Sequence, residues 1–498
     1  MSVAAADELR VGERAYEAVI GIECHVELRT ATKMFCGCRN RFGAEPNTQI
    51  CPTCLGLPGA LPVPNRRAIE LIVLAGRAFG CEIPAFSKFD RKNYFYPDMP
   101  KDYQISQYDL PLAQGGAVHY FLPDGAERCV RLTRIHLEED TGKSLHAGSG
   151  DGRIAGSSHS LLDFNRAGVP LMECVSEPDL RSALEAVAYL EALKRTFVAL
   201  DVSDVKMEEG SLRCDVNLSL RPRGAEGLGT KVEIKNLNSF ASVRRAIEHE
   251  IARQQAELAR GGEIVQETRG WDESAGTSHA MRGKEAAHDY RYFPDPDLPP
   301  LALDAAQLAR LAPDPARLPH ARIARYLGAW GLSPAHAHQI ADTPGLGDYL
   351  EAAIAQSGAP QATANLALGE LARLANESGT PVAGSRVTPE ALAELVALLE
   401  AGTITSKIGK DLIARLWREG GSPRALVAAE GLAQIDDPAA IDALVERVLA
   451  ANPAVAADFR AGKTKVLGFL VGAAMKESRG KANPALVEAR LRELLARG

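Results

Sequence analysis

Ala18-Val-Ile-Gly-Ile-Glu-Cys-His-Val-Glu-Leu28 changes character at every second residue. In an extended chain Glu23, His25 and Glu27 fall on one side, and Ile22, Cys24 and Val26 on the other. Other stretches behave alike. In Arg131-Leu-Thr-Arg-Ile-His-Leu-Glu-Glu-Asp140, the residues Arg134, His136, Glu138 and Asp140 share a face. Ser211-Leu-Arg-Cys-Asp-Val-Asn-Leu-Ser219 sends Arg213, Asp215 and Asn217 one way and Leu212, Cys214, Val216 and Leu218 the other. Lys231-Val-Glu-Ile-Lys235 repeats the pattern, and Asp163-Phe-Asn-Arg-Ala-Gly-Val-Pro-Leu-Met-Glu173 reads as a strand, a Gly/Pro turn and a returning carboxylate. Any antiparallel sheet with one wet face alternates apolar and polar residues. A merely solvated face favours Thr and Lys, however, and here His, Asn, Asp and Glu recur together. If these strands share a sheet, its face gathers carboxylates, histidine and cations, the chemistry of a divalent cation and a polyphosphate.

Outward from these strands the chain has two textures. Short alternating segments and turn residues run to residue 245, and the spacing predicts a helix over Val243–Gly261. The run Pro294-Asp-Pro-Asp-Leu-Pro-Pro300 forbids helix or central strand and reads as a hinge. Beyond it, leucines recur at helical spacing, as in Leu392, Leu395, Leu398 and Leu399, then Leu412 and Leu416. The expected fold is α+β, an antiparallel-sheet body over residues 1–295 followed by an all-helical tail.

The 498 residues are 46% hydrophobic and 24% charged, an ordinary globular balance that excludes a disordered chain. With aromatics at 5%, the core must be mostly Ala, Leu, Val and Ile. The longest apolar run, Val466 to Met475, falls short of the roughly 18–20 residues of a membrane span. The N-terminal stretch lacks an apolar h-region, so neither a signal nor a transit peptide is expected, and the protein is expected to be cytoplasmic with no membrane partner. A net charge of −7 argues against a nucleic-acid-coating protein. The charge is uneven, since from Ala401 onward 15 Lys+Arg face 11 Asp+Glu.

Nine cysteines in such a chain are not expected to form a disulfide framework. Cys36-Gly-Cys38, then twelve residues, then Cys51-Pro-Thr-Cys54 has the spacing of a tetrahedral thiolate site. Four thiolates leave no open position, so the expected zinc is a structural clip inserted in the body. Cys24, Cys81, Cys129, Cys174 and Cys214 are expected to be buried packing residues. Gly142-Lys-Ser144 and Gly462-Lys-Thr464 end like phosphate loops, but Leu137 and Ala457 stand where the first glycine is required. If the chain uses ATP, it does so on a sheet face.

At these residues the sequence resembles the B-subunit family of tRNA-dependent (aspartyl/glutamyl-tRNA) amidotransferases. The resemblance is carried by Ile20-Gly-Ile-Glu-Cys-His-Val-Glu27, Asp90-Arg-Lys-Asn-Tyr-Phe-Tyr-Pro-Asp98, His136-Leu-Glu-Glu-Asp140, Asp163 to Glu173, and Arg291-Tyr-Phe-Pro-Asp-Pro-Asp297. It covers essentially the whole chain. It implies a cradle domain over 1–295, a helical connector over 296–350 and a helical tRNA-binding tail over 351–498. The implied assembly is a heterotrimer with an amidase-family glutaminase subunit (A) and a small third subunit (C), acting on tRNA(Gln), tRNA(Asn) or both. This chain would use ATP to phosphorylate the side-chain carboxylate of the mischarged Glu or Asp, and ammonia would displace the phosphate.

By the same resemblance His25, Glu138 and Glu173 are ligands of Mg²⁺, with Glu23 beside them. A His–carboxylate mixture is unusual for Mg²⁺, so Mn²⁺ is an alternative. Lys92, Arg213, Asp215 and Lys235 are expected near the nucleotide or the transition state, against the alternative of surface ion pairs. Within Tyr94–Tyr108, which as bare sequence reads as an irregular loop, Asp98, Lys101, Asp102 and Gln104 would border an ammonia route. The glycine-rich Gly148–Gly156 segment is longer than the family pattern leads one to expect and reads as a flexible loop.

In the tail, Lys463 to Lys481 places an apolar, Gly-containing helix between two basic clusters. On composition alone it is an amphipathic bundle helix with solvated lysines. With the resemblance, Lys463, Lys465, Lys476, Arg479 and Lys481 become tRNA-backbone contacts. Two rival readings fit the sequence less well. A synthetase-like adenylating enzyme requires HIGH and KMSKS-type signatures, which are absent. A non-catalytic, zinc-containing tRNA-binding scaffold has no reason to gather His25, Glu138 and Glu173. An amidase-type Ser–Ser–Lys signature is also absent.

Overall fold

The computed structural model describes residues 9–148, 156–281, 290–435 and 437–497. The N-terminal eight residues and most of the Gly148–Gly156 loop lie outside them. The chain divides into two compact units, one ending at Ile323 and the other beginning at Ala324.

The first unit is α+β. It opens with β1 (Leu9–Val11) and the long β2 (Arg14–Glu27), and the cysteine loop then leads into α1 (Arg66–Ala78). Short strands β3 (Phe86–Ser87), β4 (Asp90–Asn93), β5 (Tyr103–Ser106) and β6 (Ala113–Gln114) precede the hairpin of β7 (Ala117–Phe121) and β8 (Glu127–Glu139). A second hairpin, β9 (Lys143–Ala147) and β10 (His159–Asp163), leads to β11 (Pro170–Ser176) and α2 (Ala183–Ala199). Then come β12 (Leu212–Pro222), β13 (Val232–Lys235), α3 (Phe240–Ala259), β14 (Glu267–Asp272) and β15 (Thr277–Ala280). The unit closes with β16 (Phe293–Pro294), β17 (Leu301–Ala302), α4 (Ala305–Arg310) and the start of α5 (Pro319–Gly328).

Among the described residues, ten strands form one sheet in the order β15-β14-β13-β12-β2-β11-β8-β6, with β1 on β2 and β7 on β8. Every pair is antiparallel except β13 with β14. The alternation read from sequence holds. Ile20, Ile22, Cys24 and Val26 join Met172, Cys174, Cys214, Val216 and Ile135 in a core shared with Leu71 of α1, Tyr189 and Phe197 of α2, and Val243 and Ile247 of α3. Helices therefore cover the apolar face, and on the polar face the small sheet of β4 and β5 comes down on Glu138 through Ser106.

Some local expectations change. Helix α3 starts three residues before the predicted Val243, because Ser239 caps it by accepting a hydrogen bond from the Ser242 amide. The Tyr94–Tyr108 run is not wholly irregular, since Tyr103–Ser106 forms β5 and pairs with β4. Cys129 is exposed and not a packing residue. A register shift opposite Val175/Ser176 puts an extra residue, Thr133, into β8. Val130 and Leu132 face the core before this bulge, Ile135 and Leu137 after it, and Cys129 is left on the other side. Within the Pro294–Pro300 run, Asp295 is buried and accepts a 2.8 Å hydrogen bond from Arg91 Nε, and the next strand, β17, pairs with β3.

The second unit is helical. Helices Pro334–Asp342, Pro389–Glu400, Pro423–Glu430 and Pro438–Ala451 each begin with proline directly after a Ser, Thr or Asp whose side chain caps the first turn. Toward the C-terminus, Leu444, Val445 and Val448 pack with Leu470, Ala474, Val487 and Leu491 in a separate core. Among the described residues, no helix is long and apolar enough to cross a membrane.

Candidate active site

Strand register assembles the site. His25 on β2 lies directly opposite Glu173 on β11 on one side and Arg213 on β12 on the other, and Glu173 lies opposite His136 on β8. A row His136–Glu173–His25–Arg213 therefore crosses four strands. One residue away, on the apolar face, Cys24 lies opposite both Cys174 and Cys214.

Glu173 Oε2 is 3.4 Å from both His25 Nε2 and His136 Nε2, and His136 Nε2 is 3.6 Å from Glu138 Oε2. One ligand atom each from His25, Glu138 and Glu173 can be chosen so that all three lie within 4.8 Å of one another. Ser106 donates a 2.9 Å hydrogen bond to Glu138 Oε2, and Arg134 Nε donates to His136 Nδ1 at 3.2 Å. That bond leaves the His136 proton on Nε2 when the ring is neutral, pointing at the two carboxylates.

The electrostatics follow from burial. Burial favours a neutral Glu173, but the charges of His136, His25 and Arg134 outweigh it and hold the carboxyl well below the usual range. Burial likewise opposes ionisation of Glu138, and the hydrogen bond from His136 and the charge of Lys92 overcome it. For His25, burial disfavours the cation, yet the hydrogen bond and charge of Glu173 raise the imidazole above its ordinary value. Two buried carboxylates are thus ionised side by side, a concentration of negative charge that a cation would relieve.

The other expected residues border this centre. Glu23 accepts a 3.0 Å hydrogen bond from Asn217, and burial followed by the charges of Glu173 and Asp215 pushes its carboxyl up. Lys92 on β4 stands with its ammonium 4.9 Å above the Tyr290 ring and within the field of Glu138 and Glu173. Arg213 Nη2 sits 2.5 Å from Asp140, and Lys235 Nζ sits 2.5 Å from Asp215 and 3.0 Å from Glu233. His136 and Arg134, which the sequence places on this face without a role, and Ser106, which it does not mark, join the site. For His136 and Arg134 a signal exists, since both alternate with Glu138. Ser106 comes from β5, in a separate small sheet, and no local pattern marks it.

Beside this row lies the cysteine loop. One sulfur each from Cys36, Cys38, Cys51 and Cys54 fits within 4.8 Å, the donor set of a closed zinc site. The hydrogen bond between Cys36 and Cys54 raises the first thiol and lowers the second. Lys33, fully buried, adds its own charge there and donates to the Phe164 carbonyl at 3.1 Å. The loop also grips the turn before β11. Asn47 donates to the Leu162 carbonyl, the Gln49 amide to Asn165, and the Met34 amide to the Gly168 carbonyl at 2.7 Å. Gly168 adopts φ +84° there, a conformation that β-carbon-bearing residues avoid.

The tail residues are less concentrated. Lys463, Lys465, Lys476 and Arg479 are exposed and Lys481 half-buried, around the helix Leu467–Glu477. Lys463 pairs with Asp458 at 2.9 Å. Nothing lies within 4 Å of where a β-carbon would stand on Gly468 or Gly472, so that surface of the helix is open to a close approach.

The sequence that builds this sheet and the helical unit after it has relatives among known proteins. The GatB/GatE catalytic domain family matches residues 18–309 and the GatB domain family matches residues 348–495, so the chain belongs to the GatB/GatE family. The relatives are close over their whole length. The aspartyl/glutamyl-tRNA(Asn/Gln) amidotransferase B subunit of Carboxydothermus hydrogenoformans is 49% identical across 97% of this chain and 100% of its own. That of Moorella thermoacetica is 51% identical across 96% and 100%, and that of Anaeromyxobacter sp. 52% across 96% and 99%.

Proposed function

We propose that the polar face of the sheet is the kinase and transamidase site of a tRNA-dependent amidotransferase. The chain acts as the B subunit of this ATP-dependent ligase, converting misacylated Glu- or Asp-tRNA to Gln- or Asn-tRNA. The observation that carries the site assignment is the row His136–Glu173–His25–Arg213, brought together by register.

A carboxylate is a poor acyl donor, because its leaving group would be oxide. In the first step an oxygen of the substrate carboxylate attacks the γ-phosphorus of ATP, the bond to ADP breaks, and an acyl phosphate forms. In the second, ammonia attacks the acyl carbon, inorganic phosphate leaves with the bonding pair, and the surplus proton passes to solvent or a nearby base. Phosphoryl transfer depends on position and charge neutralisation more than on covalent help. The donor set of His25, Glu138 and Glu173 suits Mg²⁺ or Mn²⁺, which when bound would neutralise phosphate charge. Lys92, with its ammonium facing these carboxylates, adds a cation beside them. Arg213 and Lys235 are held by Asp140 and Asp215 and are positioned before substrate arrives. The four cysteines would hold a structural Zn²⁺, and the loop they close keeps the turn before Glu173 in place. The partners are a glutaminase A subunit that supplies ammonia, a small C subunit, and tRNA(Gln), tRNA(Asn) or both.

The assembled enzyme, given γ-labelled ATP, Glu-charged tRNA and ammonium in place of glutamine, should release phosphate and form Gln-tRNA in equal amounts. Phosphate release that is independent of charged tRNA would remove the acyl phosphate from the scheme.

The same reading takes Lys463, Lys465, Lys476, Arg479 and Lys481 to contact the tRNA backbone; the exposure of the first four and the open glycine surface of the helix between them support it. Replacing Lys463 or Lys476 by alanine should reduce the slope of log affinity against log salt by roughly 0.7–0.9 for each phosphate that is no longer neutralised. An unchanged slope would make them solvated lysines of a helical bundle.

A further inference from the structure

The hairpin β7–β8 and the first turn of α5 bring together a third set of metal-ligating side chains, sharing no residue with the two sites above. His119 and Cys129 are directly opposed across the hairpin, as are Phe121 and Glu127, so period-two alternation puts all four on one face. His320, the second residue of α5, lies against that face, its ring 5.1 Å from that of His119 and stacked 6.3 Å from that of Phe121. Glu127 Oε1 is 3.4 Å from His119 Nδ1 and 3.6 Å from His320 Nε2.

We propose that His119, Glu127 and His320 form a site for a borderline divalent transition metal, zinc first. Three donor atoms, one from each residue, lie within 4.8 Å of one another. Donors about 2.0–2.2 Å from a tetrahedral ion lie about 3.3–3.6 Å apart, close to the spacing of Glu127 from the two imidazoles. A nitrogen-rich set with one carboxylate selects zinc, nickel or cobalt over magnesium and calcium. Cys129 has a supporting part. Its Sγ is 3.9 Å from His119 Nε2. A hydrogen bond on that nitrogen turns the Nδ1 lone pair toward Glu127, as second partners of metal-bound histidines do. The bound ion would tie the start of α5 to the hairpin, and a fourth position would remain for water.

The test is metal content after equilibrium dialysis of the assembled enzyme against zinc, with this chain wild type, His119→Ala, His320→Ala, Cys129→Ser or Cys51→Ser. One equivalent beyond the four-cysteine site is expected. His119→Ala and His320→Ala should each weaken that equivalent at least about tenfold. Cys51→Ser should leave it in place. Cys129→Ser should keep it too, because the serine hydroxyl can still accept a hydrogen bond from that ring nitrogen. Circular dichroism of the two histidine variants verifies that these half-exposed positions do not unfold the chain. Absence of the extra equivalent, or its persistence in both histidine variants, would overturn the proposal. Its loss in Cys129→Ser would overturn this ligand set.

Discussion

With His25 replaced by alanine, the assembled enzyme supplied with ammonium should release phosphate and form amidated tRNA at least about 100-fold more slowly, with tRNA binding unchanged. The size follows from position. His25, like His136, contacts Glu173 directly, and it also lies opposite Arg213, so its loss removes a donor atom and a charge partner together. Glu173→Gln should reproduce the defect while keeping the shape, because the amide retains the volume but not the charge. Subunit assembly and tRNA affinity, measured in parallel, separate this from misfolding. Normal turnover in both variants would move the chemistry away from the sheet face and favour a tRNA-binding scaffold.

Loss of zinc should have the larger effect on stability. Thiolate zinc sites contribute about 10–16 kcal/mol of binding free energy that is released only on folding. Met34 and Phe35 anchor the start of the loop in the core, but most of residues 28–65 form neither helix nor strand, so the stretch carrying the four cysteines has little regular structure to hold it. Cys51→Ser, or chelation, should make this loop an early target of limited proteolysis and lower the unfolding temperature of the chain. Activity should fall as well, since the loop holds the turn 162–168 from which β11 carries Glu173 into place. A chelated protein with wild-type protease resistance and unchanged melting would show the cysteines to be dispensable to the fold.

Much of the sheet is readable in the sequence because alternation has only one parameter. Once β2 and β12 are strands, the sides of His25 and Arg213 follow. The pairing partners do not follow, because alternation says nothing about which strands are neighbours. The family resemblance, and not the pattern, singles out Glu138 and Glu173. Cys129 defeats the reading for a different reason. A bulge at Thr133 inverts the parity of β8, and no residue in Arg131-Leu-Thr-Arg134 announces it. Ser106 escapes because its contact with Glu138 spans 32 positions and two sheets.

The two faces of β2 differ by one position along the chain, His25 on one and Cys24, level with two other cysteines, on the other. Inserting or deleting a single residue in this strand would turn the histidine into the core and a thiol toward the substrate. Single-residue insertions and deletions should therefore be tolerated better in the connections than within these strands. A library of single-codon deletions should find β2, β11 and β12 as silent gaps among the survivors.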